Sequence, residues 1–312
     1  MTTAITTTDL RKSYGDKLVL DGIDLEVGEG TVFALLGPNG SGKTTIVQIL
    51  STLINADGGS ATVGGHDVAQ DPNGVRSVIG VTGQFSAVDN LLTGQENLRL
   101  MTDLRHLGKE AGTTRIAELL DQFDLVEAGS KHLATYSGGM KRRLDLAMTL
   151  VGSPRIIFLD EPTTGLDPRS RHTMWQIVRK LVSEGVTIFL TTQYLDEADE
   201  LADRVALLDG GRIVAEGTPA ELKRLIPGGH ITLQFADAGA LRSAGSALDG
   251  ATPDADALTL DVESDGSVRS LRSILDQLDQ TGVEVENLTI NTPDLDDVFF
   301  ALTGSAPKGG RS

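Results

Sequence analysis

At 312 residues, with a formal net charge of −17 and no cysteine, the chain has room for one large or two modest domains. The missing cysteines exclude disulfides and thiolate metal sites, and the net acidity argues against nucleic acid as a partner, because neutralising phosphates requires a basic face. No apolar run approaches the roughly 18 residues of a membrane helix, and the start MTTAITTTDLRKSYG lacks the regions of a signal peptide. The chain is therefore expected to be soluble and to meet a membrane only through a partner.

Residues 4–10, 18–27 and 31–36 read as strands, separated by turns at Gly15-Asp16 and Gly28-Glu29-Gly30. The third strand, apolar from Val32 to Leu36, ends in Gly37-Pro38-Asn39-Gly40-Ser41-Gly42-Lys43-Thr44, the pattern G-x-x-x-x-G-K-[ST]. From Thr44 the apolar residues Ile46, Val47, Ile49, Leu50 and Leu53 follow helical spacing. Strand, glycine loop and helix together make a phosphate site. Glycines let consecutive N–H groups turn inward without a Cβ clash, and the helix adds free N–H groups and its positive dipole end. Lys43 is expected to reach the β- and γ-phosphates of a nucleotide and the Thr44 hydroxyl to ligate Mg²⁺. The expected nucleotide-binding positions are Gly37, Asn39, Gly40, Ser41, Gly42, Lys43, Thr44 and Thr45. Tyr14, in the first turn, is placed either to stack on adenine or to pack under the turn.

A turn at Asp57-Gly58-Gly59-Ser60 leads to the strand SATVGG, and a further strand, SVIGVTG, delivers Gln84. An amide at a strand end beside a nucleotide can ligate Mg²⁺ or orient water, or can simply bond the strand end. Residues 93–150 turn helical: Thr93–Leu107 carries Leu98, Leu100, Met101, Leu104 and Leu107, and Thr113–Phe123 carries Ile116, Leu119, Leu120 and Phe123. Ser137-Gly138-Gly139 then opens another helix, where Ser137 can cap and bare N–H groups can face an anion.

The run Ile156-Ile157-Phe158-Leu159 ends in Asp160-Glu161, as a fully buried central strand tipped by carboxylates would read. Asp160 is expected to hold the Mg²⁺ water shell and Glu161 to polarise the water that attacks the γ-phosphate, work typically contributing about 10² to 10⁴ in rate. Thr164 to Pro168 is a loop before a helix over 169–183, whose Trp175 is expected in the core. The strand VTIFLTT over 186–192 delivers Gln193; a hairpin follows from Arg204 to Glu216, then a short helix ending near Leu225.

Pro227-Gly228-Gly229 reads as a linker. Beyond it come strand 231–235, helix 238–248, strand 258–262, helix 267–280, strand 284–290 and helix 294–302, a small acidic α+β domain without a catalytic constellation. The predicted domains are therefore 1–226, with a helical subdomain at about 93–150, and 230–304, with 305–312 expected to be disordered.

Over residues 4 to about 225 these motifs resemble the ATP-binding-cassette (ABC) ATPase subunit. That resemblance implies a P-loop NTPase of the α/β class, with a RecA-like core, an antiparallel β subdomain and a helical subdomain, followed here by the small α+β accessory domain. It makes Tyr14 the adenine-stacking position, residues 37–44 Walker A, Gln84 the Q-loop, Ser137, Gly138 and Gly139 the signature loop, Asp160 and Glu161 Walker B with its catalytic glutamate, and Asp167 part of the D-loop. It also implies a homodimer formed on ATP binding, each signature loop completing the partner's site. Two motifs depart from the usual pattern. Tyr136 and Met140 stand at the ends of the signature motif, and Gln193 occupies the switch position that is usually histidine. None of His66, His106, His132, His172 and His230 lies near it in sequence. An amide can hydrogen-bond a γ-phosphate but cannot titrate, so turnover is expected to lack an imidazole step.

Within the family, the stretches ILSTLINADGGSATVGGHDV, VTGQFSAVD, TYSGGMKRR, LDEPTTGLDPRSR and LTTQYLDEADELADR look most like the ATPase subunit of daunorubicin/doxorubicin-type drug-resistance exporters, as does the ending TPDLDDVFFALTG. This implies a bacterial exporter of a hydrophobic drug, with a separate membrane subunit of about six helices and a peripheral place on the cytoplasmic membrane face. Phe85, Val88, Leu91 and Leu92 then read either as that subunit's docking surface or as core. The alternatives are export of polysaccharide or lipid, a signalling module gated by ATP, and a non-transport ATPase. One cassette, no cysteine and net acidity count against the last.

Overall fold

Strands that are apolar on both faces must be covered on both sides, and three such strands form the middle of the principal sheet. The computed structural model describes residues 2–83, 87–226, 229–248, 250–264, 267–291 and 293–303. Gln84, Phe85, Pro227, Gly228 and the predicted tail 305–312 lie outside them. The chain falls into two compact units, Met1–Pro219 and Ala220–Ser312.

The first unit opens with a hairpin of β1 (Thr3–Tyr14) and β2 (Lys17–Gly28), followed by β3 (Val32–Leu36) and α1 (Lys43–Leu50). Next come β4 (Gly58–Val63), β5 (His66–Asp67), α2 (Pro72–Val78) and β6 (Ile79–Thr82). The helical section is α3 (Gly94–Leu104), α4 (Lys109–Gln122) and α5 (Gly138–Thr149). Then follow β7 (Ile156–Asp160), α6 (Pro168–Ser183), β8 (Thr187–Thr192), α7 (Leu195–Leu201), β9 (Arg204–Asp209), β10 (Arg212–Gly217) and α8 (Pro219–Lys223), whose last four residues belong to the second unit.

β2-β1-β4-β5 form an antiparallel sheet, while the second sheet runs β10-β9-β3-β8-β7-β6. In the second, β9, β3, β8, β7 and β6 are parallel, so their C-terminal ends share one edge. Every residue of β3, β7 and β8 is buried. Phe33 stacks on Phe189 at 5.5 Å between centroids, and Phe158 meets Phe189 at 5.6 Å. Full burial of each such ring stabilises the fold by about 1.5–3 kcal/mol.

Several sequence expectations are corrected. Ser77 and Val78, expected in a strand, close α2, because Asp71 caps that helix by accepting from Gly74 N and Pro72 pre-sets its first turn. α1 stops at Leu50, leaving Leu53 68 % exposed. Trp175 is only half-buried: its Nε1–H donates to Glu197 Oε1 at 3.1 Å, and the Arg171 guanidinium lies 5.8 Å from its ring. Glu197 is fully buried, which pushes its carboxyl above the usual range. Val88 and Leu92 are half-buried, whereas Leu91 is 83 % exposed.

On α3 the predicted stripe holds only in part. Leu98 is fully buried, but Leu100 and Leu104 are exposed, while Asn97 and Thr102 are buried. The Asn97 amide donates to Asp89 O at 3.1 Å and Thr93 O at 2.9 Å and accepts from Asp89 N at 2.8 Å, fastening the preceding loop to the helix. Asn97→Ala leaves the Asp89 N–H without its partner, while Asp89 O keeps the Leu92 N–H at 3.3 Å and Thr93 O keeps the Asn97 N–H at 3.0 Å. We expect a loss of about 2–3 kcal/mol, read as a lower midpoint in urea unfolding. An unchanged midpoint would show the loop to be held by other bonds.

The second unit contains β11 (His230–Gln234), α9 (Ala238–Ala247), β12 (Thr252–Asp254), β13 (Thr259–Glu263), α10 (Val268–Thr281), β14 (Asn287–Asn291) and α11 (Leu295–Thr303). Its antiparallel sheet runs β12-β13-β11-β14. The order β-α-β-β-α-β with the first strand beside the last is the ferredoxin-like arrangement. Ile231, Leu233, Leu260 and Val262 pack with Leu241, Ala244, Ile274 and Leu278 of the two helices to form its core.

Candidate active site

Register across the parallel sheet decides what meets at its C-terminal edge. Leu36, the last residue before the glycine loop, pairs with Thr192, and Asp160 pairs with Thr191. The loop, both Walker-type carboxylates and the residue after β8, Gln193, therefore come to one edge. Thr82, two residues before Gln84, pairs with Leu159 on the far side of β7.

The loop is built for close approach. Gly40 and Gly42 have φ of 83° and 116°, a region that favours glycine. A Cβ on Gly37 would lie 2.3 Å from Leu208 O, and one on Gly42 2.7 Å from Leu20 Cδ2. Gly42 also stands at the N-cap of α1 without a capping side chain, so the first-turn N–H groups remain for an anion. Lys43 is 5 % exposed, and its Nζ donates back across the loop to Gly37 O at 2.7 Å and Pro38 O at 3.1 Å. Burial pushes the Lys43 ammonium below the ordinary lysine value, with Glu161 and Asp160 pulling it back. Ser41 Oγ is buried without a hydrogen-bond partner, an orphaned polar atom at the cradle that a phosphate oxygen would satisfy.

Opposite the loop, Asp160 Oδ1 accepts from Thr191 Oγ1 at 2.5 Å and from Thr44 Oγ1 at 3.4 Å. Glu161 bends sharply away from β7, at φ 49°, its N–H held by Thr191 O and Thr191 Oγ1, both at 3.1 Å. Its carboxylate accepts from Thr164 Oγ1 at 3.2 Å and lies 3.9 Å from Lys43 Nζ. Thus Lys43, Thr44, Asp160 and Glu161 form one cluster. Thr191, which sequence reasoning passed over, holds both acids in place; its only sequence signal was a hydroxyl at the end of an apolar strand.

Tyr14, the Ser137–Gly139 helix start and Asp167 make contacts of their own. Tyr14 is 50 % exposed, with the Lys12 ammonium 5.6 Å from its ring centroid. Gly138 and Gly139 begin α5, where Ser137 Oγ accepts from Met140 N at 3.2 Å. A Cβ on Gly139 would lie 2.4 Å from Ser170 Oγ. Among the described residues no hydrogen bond joins this helix start to the Lys43–Asp160–Glu161 cluster. Asp167 caps α6, accepting from Ser170 Oγ at 2.7 Å and Ser170 N at 2.9 Å, and these bonds hold its carboxyl below the usual range.

A phosphate loop facing two acids and a hydroxyl-bearing neighbouring strand defines a nucleotide-binding site of the P-loop class. The ABC transporter family model matches residues 20–164. The chain is 50% identical over 301 residues, covering 95% of it and 93% of the relative, to the daunorubicin resistance ATP-binding protein DrrA2 of Streptomyces coeruleorubidus. It is 47% identical over 308 residues, 97% of it and 93% of the relative, to the daunorubicin/doxorubicin resistance ATP-binding protein DrrA of Streptomyces peucetius. Among solved structures, a dimeric post-hydrolysis state of the ATP-binding cassette MJ0796, bound to ADP and Pi, matches with a TM-score of 0.63 at 25% identity, covering 69% of this chain and 98% of that one. The chain belongs to the ABC transporter family, as an ATP-hydrolysing subunit homologous to those resistance proteins. Such subunits dimerise and pair with membrane subunits, and among the described residues no helix is long and apolar enough to cross a membrane.

Proposed function

We propose that this chain drives efflux of an anthracycline-like hydrophobic drug through a separate membrane subunit of about six helices, from the cytoplasmic membrane face. The supporting observation is near end-to-end identity of 50% with a daunorubicin resistance ATP-binding protein. In this reading residues 1–226 are the ATP-binding domain and 230–304 an accessory domain.

Two copies close over two ATP molecules. The loop N–H groups and Lys43 hold the β- and γ-phosphates, and Tyr14 offers its open ring to adenine. Thr44 and Asp160 present a hydroxyl and a carboxylate 3.4 Å apart, the hard-oxygen set that suits Mg²⁺ shared with phosphate and water, and Gln84 is a further expected ligand. When bound, Mg²⁺ neutralises charge on the phosphates. Glu161 accepts the proton of the attacking water, whose oxygen bonds to the γ-phosphorus as the bond to the β–γ bridging oxygen breaks, leaving ADP and phosphate. Ser137, Gly138 and Gly139 of one copy complete the site of the other, and the D-loop residue Asp167 shapes that approach from its helix cap. Gln193 supplies a neutral hydrogen bond to the γ-phosphate.

The test is reconstitution in proteoliposomes of the chain with the polytopic membrane protein that co-purifies with it, measuring ATP-dependent daunorubicin accumulation by fluorescence quenching. Accumulation abolished by Glu161→Gln supports the proposal. Turnover stimulated by a glycolipid, without drug movement, would transfer the function to lipid or polysaccharide export. Gln193→Ala is expected to slow turnover about tenfold through the lost hydrogen bond, measured as phosphate release. A wild-type rate would remove Gln193 from the mechanism.

A further inference from the structure

A polar knot beside the site is tied by two residues not yet given a role, Arg142 and Asp145. Arg142 lies on α5, five residues after Ser137, and its side chain is 11% exposed. Its Nε donates to Pro162 O at 2.9 Å, and Nη2 donates to Asp160 O at 3.1 Å and Glu161 O at 3.4 Å. Nη1 donates to Gly83 O at 3.0 Å and to Asp145 Oδ2 at 3.2 Å. Asp145, 3% exposed, accepts in turn from Ala87 N at 3.1 Å through its other oxygen. One planar guanidinium thus grips three consecutive carbonyls at the bend that carries Glu161, and the pair reaches the backbone at both Gly83 and Ala87.

We propose that Arg142, seated by Asp145, is a positioning residue for hydrolysis: it fixes the backbone from Asp160 to Pro162 and thereby the direction in which Glu161 presents its carboxylate. This rests on reading Glu161 as the base. Where β7 ends, the partly buried carbonyls of Asp160, Glu161 and Pro162 accept from Arg142, and Glu161 O accepts also from Thr164 N at 3.3 Å, so the backbone polar groups of the bend are satisfied. Charge-assisted bonds from a rigid fork do this with a fixed geometry, which a lysine's single point charge cannot reproduce. A buried ion pair is a weak source of stability but does hold geometry. Because Arg142 rides on the helix that Ser137 begins, any displacement of that helix start is passed to Glu161 through one side chain.

The experiment compares the full chain with Arg142→Ala, Arg142→Lys and Asp145→Asn. A misplacement near 1 Å costs about 10²-fold in rate. We therefore expect Arg142→Ala to lower kcat by roughly that factor while KM for ATP stays within about threefold. Millimolar guanidinium ion should restore at least a tenth of the lost kcat in Arg142→Ala and nothing in Arg142→Lys. Hydrogen exchange at the Glu161 amide of the nucleotide-free Arg142→Ala chain should quicken about tenfold. Asp145→Asn keeps the carbonyl contacts within reach and should lose a smaller part of kcat at unchanged KM, which keeps the test open if Arg142→Ala does not fold. Unchanged kcat in both variants, or parallel losses of kcat, KM and melting temperature without guanidinium rescue, would overturn the proposal. Wild-type turnover in Glu161→Gln would instead remove Glu161 as the base, leaving the exchange measurement to judge the Arg142 clasp by itself.

Discussion

Glu161→Gln is expected to cut ATP turnover by about 10²- to 10⁴-fold, the range spanned by general-base catalysis, while ATP affinity stays within about threefold. The substitution preserves size, and the new side chain can still accept from Thr164 Oγ1, which bonds Glu161 at 3.2 Å. The backbone bonds to Thr191 are untouched, since they come from the Glu161 N–H. What disappears is the capacity to take a proton from water. Chemistry should stop with nucleotide still bound, so the variant should accumulate as a closed dimer in Mg·ATP, read by light scattering alongside phosphate release. Wild-type turnover would remove the proposed base. A monomer at saturating Mg·ATP would contradict the two-copy sandwich.

Lys43→Ala should weaken ATP binding by about 10²-fold, on the scale of one or two charge-assisted hydrogen bonds at roughly 1.5–3 kcal/mol each, and turnover should fall with it. The same change should alter folding stability little. It removes a desolvated ammonium, whose burial costs free energy, but also the bonds from Nζ to Gly37 O and Pro38 O. Titration with a fluorescent ATP analogue, paired with a melting curve, separates the two effects. Lost affinity at an unchanged melting temperature is the expected pair. Retained affinity would mean that the loop N–H groups alone hold the phosphates.

Much of this fold is legible in the sequence where burial is unambiguous. β3, β7 and β8 are covered on both faces, so each reads from an apolar stretch (Val32–Leu36, Ile156–Leu159, Ile188–Leu190) and is expected within a residue of where it lies. α3 is different, because its packing surface is partly polar. Asn97 and Thr102 are inside while Leu100 and Leu104 face out, so a count of apolar residues at helical spacing finds Leu98 but misplaces Leu100 and Leu104. α2 was missed although Asp71-Pro72 announces a helix start, since the apolar run after it pulled the strand boundary forward. In the second unit β12 reads Thr-Pro-Asp and is fully exposed, so nothing apolar marked it and the ferredoxin-like order stayed hidden.

The site divides in the same way. Lys43, Thr44, Asp160 and Glu161 fall in short contiguous motifs whose chemistry is local. Thr191, Arg142 and Asp145 act through strand register or across elements, where their contacts lie 30, 20 and 58 residues away in the chain. Spacing along the sequence carries no trace of such partners. Asp145 did leave one sign, a charged residue inside the apolar helix before Val151.

Glu161 stands at φ 49°, a conformation that disfavours an L side chain by about 1–2 kcal/mol and that glycine enters freely. The proposed base therefore occupies a place where the fold would be more stable without it. A descendant of this chain retained only to bind nucleotide, and released from turnover, would be under no pressure to keep the carboxylate and would gain stability by drifting to glycine or asparagine. Among relatives of this architecture, a glycine following the Asp160 position would mark a cassette that clamps ATP and has given up cleaving it.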